Sequence, residues 1–331
     1  MSAVMSSTSR TAASRGFDAR RFIVRYGLFI LLAILVIVFS WLRPSFASAG
    51  NANDILRSAS IAAVMFLGLT WIIAAGEIDV SFMSVAALST MIIAGLVSSG
   101  SGWLVAALAA IAAGAVIGAL NGLLVAGMGL PALVITIATG GLAGSIAAAI
   151  GRGTSIPVAT TGFVGPFVDA NIGIVPVLAV AVAILYAIGW YLQDRTTFGH
   201  YIYAMEQNPR AVVEAGVRAG RILFLLYVLS GILSAVAGVL LAADLSSGQP
   251  YIGTSYFIDG LTAVLLGGMA LKMGKPNMVG TLVGVLLLAV LLSGAALLGW
   301  TDSQRQIVRA ALLIAGVALV VWTRRKTRSR L

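Results

Sequence analysis

An all-α membrane protein, a polytopic bundle of about ten transmembrane helices with both termini cytoplasmic, is the fold class this sequence predicts. Three observations lead there. Of 331 residues, 60% are hydrophobic and only 10% are charged, whereas a soluble domain carries about a quarter charged residues. The apolar residues fall into ten runs, most of them near the roughly 20 residues a helix needs to cross the hydrocarbon. Lysine and arginine gather on alternate loops, as cytoplasmic flanks do.

Residues 1–25 are rich in Ser, Ala and Arg and read as a disordered basic cytoplasmic tail. The run at 26–42 is the first span. A cleavable signal has a shorter core, so this run reads as an anchor, although Phe46-Ala47-Ser48-Ala49 has the small residues of a cleavage site. Further spans follow at 57–76, 82–98, 103–127, 131–150, 174–192, 222–243, 257–271, 277–298 and 306–323. The second and third are separated only by Glu77-Ile78-Asp79-Val80-Ser81, and the eighth is short. The transmembrane domain is thus 26–323, followed by a basic cytoplasmic tail at 324–331 whose simplest contact is anionic membrane lipid.

An even number of spans puts both termini on one side. On that side lie five basic residues of the first tail, four in 193–221, Lys272, Lys275 and five after Trp322. The other side carries only Arg43, Arg57, Arg152, Arg305 and Arg309. The positive-inside rule therefore makes 193–221 cytoplasmic and 151–173 an external loop. The clustering of the +10 net charge at tails and loops argues against a nucleic-acid partner. Trp41, Trp103, Trp190, Trp300 and Trp322 sit near span ends, as interfacial tryptophans do. Gly114, Gly118 and Gly122 share one helix face, and Gly280 and Gly284 repeat the spacing. Such faces let helices approach closely, and packing within one subunit is the simpler reading of them.

Chemistry is sparse. There are no cysteines and one histidine, so no thiolate or imidazole metal site, and no cofactor, is expected. The chain has no phosphate-binding Gly-x-x-x-x-Gly-Lys-Ser/Thr loop, no nucleophile triad and no dinucleotide fingerprint, so it is expected not to be an enzyme. Every acid but Asp259 falls at or between span ends, and no basic residue is expected to pair with them deep in a helix. Without a proton relay, energy for uphill transport must come from a partner. The alternative is an ion-gradient-driven secondary transporter of a small polar solute.

The island 193–221 is far longer than the 2–8 residues of most helix connections. Within it, Asn208-Pro209-Arg210-Ala211-Val212-Val213-Glu214-Ala215-Gly216 reads as a short capped helix: Asn suits the N-cap, Pro the first helical position, Gly the exit.

Several stretches resemble the permease subunits of ribose and other simple-sugar ABC importers. They are Ala75-Gly76-Glu77-Ile78-Asp79-Val80-Ser81, the Asn121-Gly122-Leu123 run, and Pro131 leading into Thr136 and Thr139. Tyr203-Ala204 through Asn208-Pro209 and Glu214-Ala215-Gly216, Tyr227 to Gly231, and Gly248 to Gly253 follow in order. The resemblance covers about 25–323. Glu77 stands where the family pattern has Gly, and Phe82-Met83 replaces its usual small pair.

The resemblance implies a permease subunit of an ATP-driven importer of a small sugar or polyol in a bacterial inner membrane. Its implied partners are a cytoplasmic ABC ATPase that uses the ATP, a second permease copy or paralogue, and an extracytoplasmic solute-binding protein. It makes 193–221 the coupling loop, with Asn208, Pro209, Arg210, Glu214, Ala215 and Gly216 as the ATPase-coupling residues. Arg210 and Glu214 also stand i, i+4 and can simply pair with each other. Glu77, Asp79 and Ser81 form either a solvated turn that caps the next helix or a broken element beside the translocation path. Asn121 is either an interhelical hydrogen bond or, with Thr136 and Thr139, part of that path.

Overall fold

The structure is a computed structural model that describes residues 19–272 and 274–328, with side chains described from 25 to 318. Its helices are α1 (Ala19–Leu42), α2 (Ala49–Ala74), α3 (Phe82–Ser98), α4 (Trp103–Gly122), α5 (Ala132–Ile150), α6 (Val164–Asp169) and α7 (Val177–Arg195). They continue as α8 (Thr197–Gln207), α9 (Pro209–Glu214), α10 (Ala219–Asp244), α11 (Gly253–Gly267), α12 (Met278–Leu297) and α13 (Asp302–Arg328). Each of the ten predicted spans coincides with one of these. Seven of them, α1, α2, α4 with its following turn, α5, α7, α10 and α12, are long and apolar enough to cross a membrane. The apolar α3 is shorter, at 17 residues, and α11 has 15.

The helix ends differ from the hydropathy boundaries for identifiable reasons. α2 starts at Ala49 rather than 57, because the Ser48 hydroxyl caps it by accepting from Asn51 N–H at 3.2 Å. Its first two turns are polar, so hydropathy alone misses them. α4 passes into a π-helical turn over Leu123–Gly127. α11 stops at Gly267, where the chain turns towards Pro276. Of the tail expected at 1–25, residues 1–18 lie outside the described residues and 19–25 form the first turns of α1. The basic tail expected at 324–331 is helical as far as Arg328.

α2 is the central helix: from Ala59 to Ala74 every residue except Ala62 and Ile73 is buried. It packs against α10, α12, α7 and α11. The glycine faces are contacts within this chain. A Cβ at Gly114 or Gly118 would lie 2.4 Å from the carbonyl oxygen of Gly231 or Tyr227 on α10, and one at Gly122 would strike Phe224. Gly280 and Gly284 likewise meet the backbone of Gly267 and Ala263 on α11. Close backbone approach of this kind is the usual source of helix cohesion in lipid, where apolar burial gives no drive.

The two ends of the bundle are built differently. At one end the island 193–221 lies against the α2–α3 turn, with Gly76 packed on Glu206, and against the segment before α12. At the far end β1 (Ile156–Pro157) pairs antiparallel with β4 (Ser247–Gly248), and β2 (Asn171–Ile172) with β3 (Val175–Pro176). There Arg57 reaches Asp54, Asp169 and Asp244 at 3.2–3.4 Å, joining α2, α6 and α10.

Candidate functional site

Four of the six pathway candidates converge in one buried network at the α2–α3 turn. The chain leaves α2 through Gly76, at φ +92°, and has no regular structure until α3 begins. Asp79 sits at the α3 N-terminus, 1% exposed. Its Oδ1 accepts from Ser81 N–H at 2.8 Å and from the Ser81 hydroxyl at 2.6 Å. Its Oδ2 accepts from the Ser230 hydroxyl of α10 at 2.8 Å. Asn121 of α4 donates to Ser81 Oγ at 2.8 Å and accepts from the Thr139 hydroxyl of α5 at 2.6 Å.

A continuous chain of side chains, Thr139–Asn121–Ser81–Asp79–Ser230, therefore joins α5, α4, α3 and α10. Hydrogen bonds to a carboxylate are worth about 1.5–3 kcal/mol when it is charged; the helix N-terminus and these bonds favour that charge, while burial pushes the carboxyl above its ordinary range. Asp79 thus holds Ser81, the residue that precedes α3, by both its N–H and its hydroxyl. Asn121 makes the interhelical bonds of the simpler reading.

Thr136 and Glu77 stand outside this chain. Thr136 Oγ1 donates to its own helix at Ala132 O, 2.9 Å, and Tyr227 Oη donates to Ile78 O at 3.3 Å. Glu77 is partly exposed at the island end. Ser230 belongs to the network although only its motif, Tyr227 to Gly231, stood out in the sequence. A serine in an apolar helix carries no local signal of a partner 151 residues away.

Beside the network, a groove of about 530 Å³ runs between α3, α5 and the start of α11. It is lined by Ser84, Gly141, Gly144, Ser145 and Thr254, with Tyr251 at one end and no charged side chain. Thr136 also borders it, so of the six candidates this one touches the open groove. Next to it α5 exposes Leu133, Val134 and Ile137.

The island holds the short helix expected of it. Asn208 Oδ1 accepts from Ala211 N–H at 3.1 Å, Pro209 occupies the first position, and Gly216 leaves at φ +79°. Only Val212 of α9 is buried, so Pro209, Arg210, Glu214, Ala215 and Gly216 all project, together with Val213 at 60% exposure. Behind α9 the island is fixed to the bundle. Tyr203 Oη donates to Pro276 O at 2.8 Å, between Lys272 and Lys275, whose ammonium groups lie 5.1 and 5.2 Å from its ring centre. Gln193 donates to Pro276 O at 3.1 Å and accepts from Met278 N–H at 3.0 Å, at the first residue of α12. Lys272 also pairs with Asp194. Burial and the Asp194 charge push the Tyr203 phenol above its ordinary range, so it remains a donor.

One expectation is corrected. Asp259 of α11 does have a basic neighbour within the helices: Arg309 Nε of α13 lies 3.2 Å from its Oδ1. The two are fifty residues apart, and the packing of α13 on α11 brings them together.

The family model described as "Branched-chain amino acid transport system / permease component" matches residues 51–317. The chain is 33% identical over 308 residues to the ribose import permease protein of Escherichia coli (strain K12), covering 92% of this chain and 96% of that protein. It is 33% identical over 295 residues to the ribose import permease protein of Bacillus subtilis (strain 168), covering 86% and 89%. The D-allose transport system permease protein of Escherichia coli (strain K12) is 28% identical over 292 residues, covering 88% and 89%. No solved structure matches.

Proposed function

Since the chain belongs to the family of branched-chain amino acid transport system / permease components, we propose that it is the permease subunit of an ATP-driven importer of a small sugar or polyol. The observation that carries this is the 33% identity to a ribose import permease over 92% of the chain. A neutral cargo also suits the groove, whose polar groups are hydroxyls and backbone rather than charges.

In this reading all ten helices cross the bacterial inner membrane, and both termini and the island face the cytoplasm. A second copy or a paralogue covers the exposed α5 face, so that two grooves meet as one pathway. A separate ABC ATPase binds the projecting surface of α9, with Val213 as the apolar contact and Arg210 and Glu214 around it. The far end, with its short strands, receives a soluble binding protein. The Asp79 network holds four helices together beside the groove, and Tyr203 and Gln193 carry movement of α9 to the start of α12.

Uptake of labelled D-ribose, D-allose and L-arabinose into proteoliposomes tests this, with the ATPase and binding protein supplied. ATP-dependent uptake of at least one is expected. A Val213→Asp, Glu214→Arg variant should purify normally yet lose ATPase recruitment and uptake. Uptake that survives ATP removal and collapses with an ion gradient would sink the proposal in favour of a secondary transporter.

A further inference from the structure

Asp259 and Arg309 face a second, partly open cavity, of about 350 Å³, lined by α2, α11, α12 and α13. Their contact is close but poorly aligned. Asp259 Oδ1 and Arg309 Nε are both buried without a hydrogen bond, and so is Arg305 Nε in the same wall. Asp259 is only 8% exposed. Buried polar atoms left unpaired cost about 1–3 kcal/mol each, and ionisable groups inside a membrane helix are retained for function more often than for stability.

The chemistry of the wall selects its occupant. A carboxylate only accepts and a guanidinium only donates, so a molecule satisfying both must carry groups that do each. Asp54 and Asp259 balance Arg305 and Arg309, so a net charge on the ligand gains nothing. The rest of the wall is mixed: Ser58, Ser255 and Ser293 add hydroxyls, and the rings of Phe66 and Tyr256, inclined at 64° with centroids 6.5 Å apart, lie among apolar side chains. Water alone would satisfy the polar atoms but not use the rings, and the volume lies within the roughly 300–1,000 Å³ of small-molecule sites. A monosaccharide offers hydroxyls on its rim and C–H groups on its face. Ser58 and Ser255 are exposed lining residues at the far end, the side on which a binding protein would release its cargo.

We propose that this cavity is a second sugar-binding site, separate from the groove, taking a neutral monosaccharide or polyol. It rests on the reading of the chain as a sugar importer. The two sites share no lining residue. They flank the first turn of α11, where Ser255 and Tyr256 face the cavity while Gly253 and Thr254, with Tyr251 just ahead of the helix, border the groove. A sugar in the cavity therefore touches the same turn that shapes the groove.

The test is equilibrium dialysis of labelled D-ribose, D-allose and L-arabinose against the purified full chain in lipid nanodiscs, without binding protein. Two variants accompany it. Ala289→Phe fills the cavity from α12, and Asp259→Asn removes one charge at constant shape. Gly141→Trp fills the groove instead. Saturable binding of at least one sugar to two sites per chain is expected; Ala289→Phe removes one of them, Asp259→Asn weakens that same one about ten-fold or more by the loss of a charged hydrogen bond, and Gly141→Trp removes only the other. A stoichiometry that Ala289→Phe leaves unchanged, or binding that disappears altogether in Gly141→Trp, overturns the site. No saturable binding, with ATP-driven sugar uptake intact, overturns the site and leaves the transport reading standing. Neither binding nor uptake overturns both. A phospholipid retained by the unaltered chain and lost from Ala289→Phe, with no sugar bound, also overturns it.

Discussion

Replacing Asp79 by alanine isolates what the buried network contributes. Three donors end on this carboxylate: Ser81 N–H at 2.8 Å, the Ser81 hydroxyl at 2.6 Å and the Ser230 hydroxyl at 2.8 Å. The backbone N–H cannot turn elsewhere, while the hydroxyls can rotate only in search of other acceptors. At about 1–3 kcal/mol for each of three donors left unpaired, the expected loss is roughly 3–9 kcal/mol, at the lower end where the hydroxyls find other acceptors. That places it among the few substitutions beyond the ordinary 0.5–3 kcal/mol range.

Asp79→Asn is the informative companion. Its oxygen can keep both Ser81 donors, and its amide can donate to Ser230, whose hydroxyl accepts instead. Only the charge assistance goes, so about 1–2 kcal/mol is expected. Equilibrium unfolding of the purified protein by SDS titration, followed by tryptophan fluorescence, measures both. If Asp79→Ala stays within about 1 kcal/mol of the unaltered protein, or if Asn proves as damaging as Ala, the network does not hold these helices together.

Other expectations use the same protein. Gly118→Val should wedge α4 from α10, because its Cβ would meet Tyr227 O at 2.4 Å, whereas Gly141→Ala has nothing within 4 Å and should be neutral; monodispersity on size-exclusion chromatography separates them. Asn208→Ala should cost α9 about 1 kcal/mol through its lost cap, read as weaker ATPase co-purification at unchanged permease yield. Tyr203→Phe removes the bond to Pro276 O and should lower sugar-stimulated ATP turnover while leaving ATPase recruitment intact.

Much of this was legible in the sequence because a bilayer permits few solutions. A single chain segment in lipid satisfies its own backbone only as a helix; each of the ten apolar runs is a helix, seven of them long and apolar enough to cross a membrane, and the glycine faces located their closest contacts. α9 was readable from Asn208, Pro209 and Gly216 alone, since caps are local chemistry. The polar start of α2 was not readable from hydropathy, because Asn51, Asn53, Asp54 and Arg57 look like loop. Asp79, Ser81, Asn121 and Thr139 stood out as polar residues in apolar surroundings, but their mutual contact depends on tertiary packing. Ser230 and Arg309 show the limit: each meets its aspartate only when distant helices pack, and neither spacing carries a periodic signal.

The seam between α4 and α10 bears on how such a protein can change over time. Backbone touches backbone there, and Gly118 and Gly231 leave no room for a methyl group. The α5 wall of the groove is the reverse, since Gly141 faces open space. Substitutions can therefore accumulate along the groove without disturbing the frame that carries it. If the groove is the sugar path proposed above, a lineage of such proteins can take up new cargoes by altering one wall, while its load-carrying joint stays frozen.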